Sequence, residues 1–294
     1  MPITGLEGIA RMALTADLLG GIERLDPLPI TAQRLVKALD DERIGPAQIA
    51  EYVEYDPAVA SSVLRLANSA AWAGSIPTAT VRDAVVRLGT ARLLDIVLGD
   101  HMRGMKMRAP LYDLAENELW IHSAAASLAV KALQRELPAS GIPDHASTAA
   151  LVHDIGKLVM VRYMKADVSA ILALRNEREI SFVQAERALF GCDHAEVGAE
   201  MALRWGFPAE IVHAIEHHHS SPIERPTPTL DAVVVANLVA KTIGTGLGAE
   251  GLDLLLDDQL DRRLRLDFAA FSRVSMQTLI WLKEIKATYG VSDQ

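Results

Sequence analysis

The sequence predicts an all-α protein. Half of its 294 residues are hydrophobic but only 5% are aromatic, and Ala, Leu and Val dominate, a composition typical of helix packing rather than of a β-sandwich. No segment alternates apolar and polar residues over a length that would indicate a sheet. The stretch Ala149–Val161 is apolar on nearly every side, which indicates a helix buried all round. We therefore expect a bundle of helices.

Caps and helix breakers divide the first half of the chain. Asp56-Pro57 joins an N-cap to a proline at the first helical position, and Gly45-Pro46 repeats the proline signal. Gly89 closes a short helix that begins after Thr80 or Asp83. The helices predicted here are Thr4–Leu19, Ile30–Leu39, Pro46–Val53, Pro57–Ala67, the short one ending at Leu88, and one that Thr90 caps and that runs through Val97.

The second half follows the same logic. Asp144 is a plausible cap for the helix containing Ala149–Val161, Ser181 with Gln184 forms a partial capping box, and Asp193 caps the next helix. The apolar stretch Asp231–Ala240 is a further helix, in which Asp231 is expected to be the N-cap. The remaining predicted helices are Leu111–Arg135, Val168–Arg175, Ala185–Leu189, His194–Trp205, Ala209–His218, the charged amphipathic Leu252–Asp267, and Ser272–Tyr289 with Met276, Leu279, Ile280, Leu282 and Ile285 on its apolar face.

Charge and cysteine content restrict the functional classes. The formal charge of −9 and the pI near 5.5 argue against non-specific binding to nucleic acid or to an anionic membrane. The single cysteine, Cys192, fits a reducing compartment. The N-terminus lacks a basic segment followed by an apolar core, and the longest apolar run, Ala232–Ala240, is too short to span a bilayer. We expect a soluble cytoplasmic protein.

Three polar residues interrupt the apolar stretch Ala149–Val161: His153, Asp154 and Lys157. A buried imidazole beside a buried carboxylate costs several kcal/mol unless both groups are compensated. A satisfied core His–Asp pair would be the ordinary interpretation. Imidazole and carboxylate are also the ligands that borderline divalent metals prefer.

Further histidines lie in similar helical settings, and each alone has an ordinary interpretation. His122 could be a core or capping histidine, and His194 a first-turn surface residue. The run His217-His218-His219 could be a polar helix end. Convergence of several of them would instead make a metal site.

Several phrases of the sequence resemble the HDOD family, the bacterial HD-related output domains. They are LPLPITAQRLVKAL, IAEYVEYDPAVASSVLRLANSAAW, IPTATVRDAVVRLGTARLLDIVL, LWIHSAAAS, ALVHDIGKLVM, HAEVGAEMALRWGFPAEIVHAIEHHHSSP and DAVVVANLVA. The resemblance implies an HD-type helical bundle over 25–241, with an N-terminal helical lobe (25–110) packed on an HD-like lobe (111–241). Residues 1–24 would form an N-terminal helix, and 242–294 a C-terminal helical extension.

The related HD phosphohydrolases bind metals, and the resemblance implies two ligand sets here. One would comprise His122, His153 and Asp154. The other would comprise Asp154, His194, His218 and His219, with His217 as a spacer. Lys157 matches the lysine of the HDIGK phrase, which would lie near a substrate phosphate.

The chain departs from the superfamily pattern at a late aspartate. Asn237 occupies that position, so a neutral oxygen replaces a charged ligand. Asn237 is therefore a weak metal ligand at best. The loss weakens metal binding and removes a group that could orient an attacking water.

The resemblance leaves more than one function open. We expect a signal-transduction output domain that binds one or two divalent ions (Fe, Mn or Ni) and a signalling protein or a small nucleotide. The alternative is a metal-dependent phosphohydrolase acting on a nucleotide or cyclic dinucleotide, with Asp154 and Lys157 as its catalytic residues. An oxidative di-iron centre, as in some HD relatives, is a third hypothesis. The Leu-rich tail, Leu252–Leu256 and Leu279–Leu282, makes a homodimer a reasonable expectation.

Overall fold

The fold is described from a computed structural model covering residues 20, 22, 27–41, 43–69, 72, 77–105, 108–163, 168–251 and 259–291. Over these ranges the chain is helical and has no strand, only one isolated bridge between Ala109 and Leu114. The all-α prediction is therefore confirmed. The helices are α1 Ile30–Asp40, α2 Pro46–Glu54, α3 Pro57–Ala67, α4 Val81–Gly104, α5 Glu118–Glu136, α6 Ala146–Val152, α7 Gly156–Tyr163, α8 Val168–Arg178, α9 Phe182–Phe190, α10 His194–Arg204, α11 Ala209–His217, α12 Pro228–Thr242, α13 Leu260–Leu264 and α14 Phe268–Thr288.

The first helices form a layer around α4. Helices α1, α2 and α3 each pack against α4. The Asp56 carboxylate accepts the Val59 N–H at 3.2 Å, so α3 begins at Pro57 as the cap predicts. The helices predicted on either side of Gly89 are both present as the two segments of α4, separated by a kink where Gly89 leaves the helical region (φ 73°). Glycine meets no penalty for that bend.

The later helices pack around α5. Helices α6, α12 and α14 lie against α5, and α4 reaches across to both α5 and α6. Helix α10 packs between α7 and α11. This arrangement turns α5, the α6–α7 connection and the start of α10 toward one another, which creates the buried centre described below.

The stretch Ala149–Val161 is not one helix, which corrects the prediction. Helix α6 ends at Val152 and α7 begins at Gly156. Between them the backbone tightens: Ile155 N donates to Val152 O at 3.0 Å, and Lys157 N donates to Asp154 O at 3.0 Å. Because the break falls on His153 and Asp154, their side chains are presented from a turn rather than from a helix face.

The close approach of α7 to α10 accounts for the break. A Cβ atom on Gly156 would lie 1.9 Å from His194 O and 2.6 Å from Gly198 N. Only glycine at position 156 permits this approach. The tertiary contact therefore overrides an apolar pattern that is compatible with a continuous helix.

Three expectations about helix starts are also wrong. The helix predicted from Leu111 begins only at Glu118, because Asp113 and Asn117 adopt positive φ angles of 53° and 71°. Helix α6 receives no side-chain cap from Asp144. Asp231 does not cap α12: Thr227 does, and Asp231 binds Arg263 at 2.6 Å.

The C-terminal helix docks on the bundle. Helix α14 lies along α5 and buries Val274, Thr278, Trp281, Leu282 and Ile285. Met276 and Ile280, expected on its apolar face, are 62% and 54% exposed. The predicted helix Thr4–Leu19 lies outside the described residues, as do residues 252–258 of the predicted Leu252–Asp267. Within the described ranges, no helix has the length and hydropathy needed to cross a membrane.

Candidate metal centre

The predicted ligands come from separate segments and meet in one cluster. All are buried except His219, whose side chain is 11% exposed. Their positions are His122 on α5, His153 and Asp154 in the turn between α6 and α7, His194 at the start of α10, and His218 and His219 just after α11. Within each of two sets, the candidate ligand atoms lie within 4.8 Å of one another, and Asp154 belongs to both sets.

The two oxygens of Asp154 face different histidines. On one side, His122 Nε2 and His153 Nε2 each lie 3.5 Å from Oδ2, and 3.3 Å from each other. On the other side, His194 Nε2 lies 3.3 Å and His218 Nε2 3.6 Å from Oδ1. A carboxylate placed in this way can bridge two ions.

The spacing of these atoms suits ligands around a common ion. Two ligand atoms about 2.1 Å from one ion, at a tetrahedral angle, lie about 3.4 Å apart. The distances around Asp154 fall close to that value. In the second set, His219 Nε2 lies 3.0 Å from His194 Nε2.

Backbone carbonyl groups fix the orientation of three of the rings. His153 Nδ1 donates to Ala150 O at 2.7 Å, and His218 Nδ1 donates to Ile215 O at 2.7 Å. His122 Nδ1 donates to Thr245 O at 3.1 Å. Because each Nδ1 carries the proton, the Nε2 lone pair of a neutral ring points at the Asp154 carboxylate. Lone pairs facing a carboxylate repel it unless a cation lies between them.

Two buried atoms at the middle of the cluster also lack partners. Asp154 Oδ1 and His218 Nε2 complete no hydrogen bond within the described part of the chain. An unsatisfied buried polar atom costs about 1–3 kcal/mol. A divalent ion would satisfy both atoms, so these residues fit a metal.

Burial sets the protonation of most of these side chains. It lowers the pKa of His122 to about 4 and holds the pKa values of His153 and His219 well below their usual range. Burial alone would raise the pKa of Asp154, but the His153 ring and the Lys157 ammonium outweigh it and hold that pKa well below 3.8. Neutral imidazoles around an ionised carboxylate are the forms that ligate metals.

Glu186 orients His194, a role that the sequence analysis did not predict. Its Oε2 lies 2.8 Å from His194 Nδ1, and its Oε1 accepts the Tyr112 hydroxyl at 2.5 Å. Burial would lower the pKa of His194, but the Glu186 charge outweighs it and raises that pKa to about 10, so a bound metal ion would have to displace the proton from Nε2. Glu186 shares the buried face of α9 with Phe182 and Val183, and a carboxylate at an apolar position was the signal that could have revealed it.

Lys157 joins the cluster to two further charges that were not predicted. Its Nζ lies 2.8 Å from Asp154 Oδ2 and 2.8 Å from Glu250 Oε2. Glu250 Oε1 in turn lies 3.1 Å from Lys241 Nζ and 3.5 Å from His219 Nε2. Lys241 ends an apolar helix and Glu250 stands among glycines, so neither position carries a periodic signal.

His217 belongs to neither ligand set. Asn237 is buried on α12, and its Oδ1 has no hydrogen-bond partner among the residues described. His217 is half-buried, with Nδ1 3.3 Å from Ser220 Oγ and its ring centroid 4.6 Å from that of His213.

A cavity of about 420 Å³ leads to the cluster from outside. Arg187, His213, Ser220 and Arg225 contribute to its walls, and His219 and Glu250 lie on them as well. A small polar molecule can therefore reach the edge of the centre without any displacement of a helix.

The sequence matches one protein family over most of its length. The HDOD domain matches residues 25–221. An uncharacterised protein of Treponema pallidum (strain Nichols) is 21% identical over 230 residues, which span 78% of this chain but 44% of that protein. The chain thus spans less than half the length of that relative.

Solved structures of several bacterial proteins share the fold. An HDOD protein of unknown function from Geobacter sulfurreducens is 23% identical, with 95% of each chain covered and a TM-score of 0.66. A Marinobacter aquaeolei VT8 protein, provisionally named a signal transduction protein, is 21% identical, with 94% of this chain and 64% of the other covered and a TM-score of 0.70. A Shewanella amazonensis SB2B protein, provisionally named a phosphohydrolase, is 24% identical, with 90% and 98% covered and a TM-score of 0.60. The HDOD domain thus matches more than half of this chain, and a solved HDOD protein shares its fold. The chain belongs to the HDOD family.

Proposed function

We propose that the protein is a signalling output module whose His–Asp centre binds one or two divalent ions and, through them, a nucleotide or a protein partner. The observation that supports this most is the position of Asp154 between two sets of Nε2 atoms. In this proposal residues 25–110 and 111–241 are the two lobes of the HDOD domain, and 242–294 extend it.

Two features favour regulation over hydrolysis. Lys157, the cation expected to meet a phosphate, is buried between Asp154 and Glu250. Asn237 offers a neutral amide where the related hydrolases have a carboxylate, which removes a group that would orient water. Binding without turnover fits both features.

Phosphohydrolase activity is the second candidate, and the cavity that reaches His219 favours it. Bound divalent ions would supply Lewis acidity and lower the pKa of a coordinated water. The chain would contribute Asp154 as the bridging ligand, Glu186 to hold the His194 ring, and Lys157 to offset phosphate charge if Glu250 released it.

The first experiment is the metal content of untagged protein, by elemental analysis, for the wild type and for Asp154→Asn. We expect near-stoichiometric metal in the wild type and at least a tenfold loss in the variant, because Asp154 serves both sets. His213→Gln is the matched control, since His213 lines the cavity but belongs to neither set. A folded wild type that takes up no manganese, iron or nickel would contradict the proposal.

Single substitutions then separate the two sets. His122→Gln and His218→Gln should each remove one ion if both sets bind metal. Turnover of bis(p-nitrophenyl) phosphate or a cyclic dinucleotide by the metal-loaded wild type, lost in Asp154→Asn, would favour the hydrolase. Metal binding without turnover is the result that we expect.

A further inference from the structure

The glycine segment, defined as Gly244–Gly251, carries a carboxylate into the metal centre. It follows α12 directly, and Gly244, Gly246, Gly248 and Gly251 all have positive φ angles. A Cβ on Gly246 would lie 2.6 Å from the His122 ring, and one on Gly248 2.1 Å from Tyr112 O. The segment therefore lies directly on the centre and ends with Glu250 buried among its charges.

Glu250 separates two lysines from the cavity. Glu250 lines the cavity, whereas Lys157 and Lys241, the two cations that it contacts, do not and are at most 2% exposed. A molecule entering the cavity would therefore meet Glu250 before it could meet either ammonium group. Removal of the carboxylate would bring both cations into reach.

The geometry distinguishes Glu250 from a metal ligand. It belongs to neither set of converging ligand atoms, although its Oε1 lies 3.5 Å from His219 Nε2. Its shortest contacts are with ammonium groups, at 2.8 Å from Lys157 and 3.1 Å from Lys241. Lys241 Nζ and Glu250 Oε1 complete no hydrogen bond within the described residues, so both retain capacity for a further partner.

We propose that Lys157 and Lys241 form an anion subsite for a phosphoryl group and that Glu250 is its internal occupant, displaced when such a ligand binds. A phosphate carries the same kind of acceptor oxygens as a carboxylate, with more negative charge. The succession of glycines gives the segment the backbone freedom to withdraw Glu250. The inference deepens the proposed function, since the subsite adjoins the same centre, but it requires no bound metal.

Inorganic phosphate titrated into chelator-treated, metal-free protein tests this inference separately from metal binding. Glu250→Gln keeps the shape of the side chain but leaves the two lysines with excess positive charge, so we expect at least tenfold tighter phosphate binding by calorimetry. Glu224→Gln, an exposed cavity residue, should bind phosphate as the wild type does. Lys241→Met combined with Glu250→Gln should abolish the gain.

Equal phosphate affinity in the wild type and Glu250→Gln, including no binding in either, would overturn the proposal. Should Glu250→Gln fail to fold, hydrogen exchange in the wild type decides the matter. Saturating phosphate should then increase exchange at residues 245–250, and unchanged protection there would overturn the displacement. Absence of metal in the earlier experiment would leave both readouts valid.

Discussion

At the residue scale, the charged groups of the centre lie beside groups of opposite charge, which set their protonation states. Glu186 holds a proton on His194. Burial would raise the pKa of Glu250, but the Lys157 and Lys241 ammonium groups keep that pKa well below 4.5, so Glu250 stays ionised. Buried ion pairs add little net stability, yet removal of one partner costs about 3–5 kcal/mol. Such pairs therefore specify positions more than they stabilise the fold.

Lys131 is a half-buried lysine of α5 whose lowered pKa makes the stability of the protein depend on pH. Its Nζ lies 3.0 Å from the Trp72 ring centroid and 4.9 Å from that of Trp281. Burial, with the charges of Arg92 and Arg135, lowers its pKa to about 6 from 10.5. Between these values the unfolded chain binds more protons than the folded one, so the contribution of Lys131 to stability rises with pH.

We predict that Lys131→Met raises the melting temperature at pH 6 by about 2–4 °C, equivalent to ~1 kcal/mol in a chain of this size. The advantage over the wild type should shrink as the pH rises toward 10. Thermal denaturation followed by circular dichroism from pH 6 to 10 measures both effects. Lys37→Met, at an exposed position of α1, is the control, and an advantage that grew with pH would contradict the argument.

At the element scale, close contact between α7 and α10 positions the Asp154 turn. Gly156 and Gly198 face each other there, and a Cβ added to Gly198 would lie 3.2 Å from Gly156 N. Two helices separated by glycines bring the start of α10, and thus His194, to the carboxylate. The geometry of the centre therefore depends on the absence of two side chains.

We predict that Gly156→Ala destabilises the protein by more than about 3 kcal/mol, since a methyl group there must displace backbone rather than a flexible side chain. Urea denaturation measures the loss. Gly104→Ala is the matched control: that glycine also lies in a helix, but nothing lies within 4 Å of an added Cβ, so a small gain is expected. Similar midpoints for the two variants would show that α7 and α10 are not so closely packed.

The same contact shows where inference from sequence fails at this scale. Asp56-Pro57, Asp193 and Thr80 fixed the starts of their helices because caps act through neighbouring residues. The break at His153 depends on α10, which lies far along the chain, so no local pattern reveals it. The helical spacing of Met276 and Ile280 predicted that both would be buried. In the structure the adjacent face of α14 packs against α5 instead, and both side chains are exposed.

At the scale of the whole molecule, the C-terminal helix is an integral part of the bundle. Trp281 on α14 is 3% exposed, and its ring faces Lys131 and Arg135 of α5. The sequence left open whether this helix docks on its own chain or on another. Contact with α5, the helix that carries His122, links the tail to the same core as the centre.

We predict that Trp281→Ala lowers the free energy of unfolding by about 3–5 kcal/mol, as expected for the loss of a buried aromatic side chain. Met276→Ala, on the exposed side of the same helix, should change it by less than ~0.5 kcal/mol. Urea denaturation monitored by circular dichroism compares the two. Equal, small effects would mean that α14 does not share the cooperative unit.

The fold class and the histidine cluster were predictable for different reasons. Composition and hydrophobic periodicity predict helices without reference to any family. The family resemblance, in contrast, predicted that His122, Asp154, His194 and His218 act together, and the structure places them in one cluster. Their ligation of metal stays a prediction. Glu186, Lys241 and Glu250 could not be placed, since their roles arise only from charges that meet after folding.

The order of the cluster along the chain bears on how the protein matures. The helices up to Gly104 contribute no residue to it, so this part can become compact early during synthesis. Translation proceeds at about 5–20 residues per second, so the interval between the emergence of His122 and that of Glu250 lasts on the order of ten seconds. During that interval the histidines lack the segment that later covers them. We therefore expect the nascent chain to be most open to metal before the glycine segment leaves the ribosome.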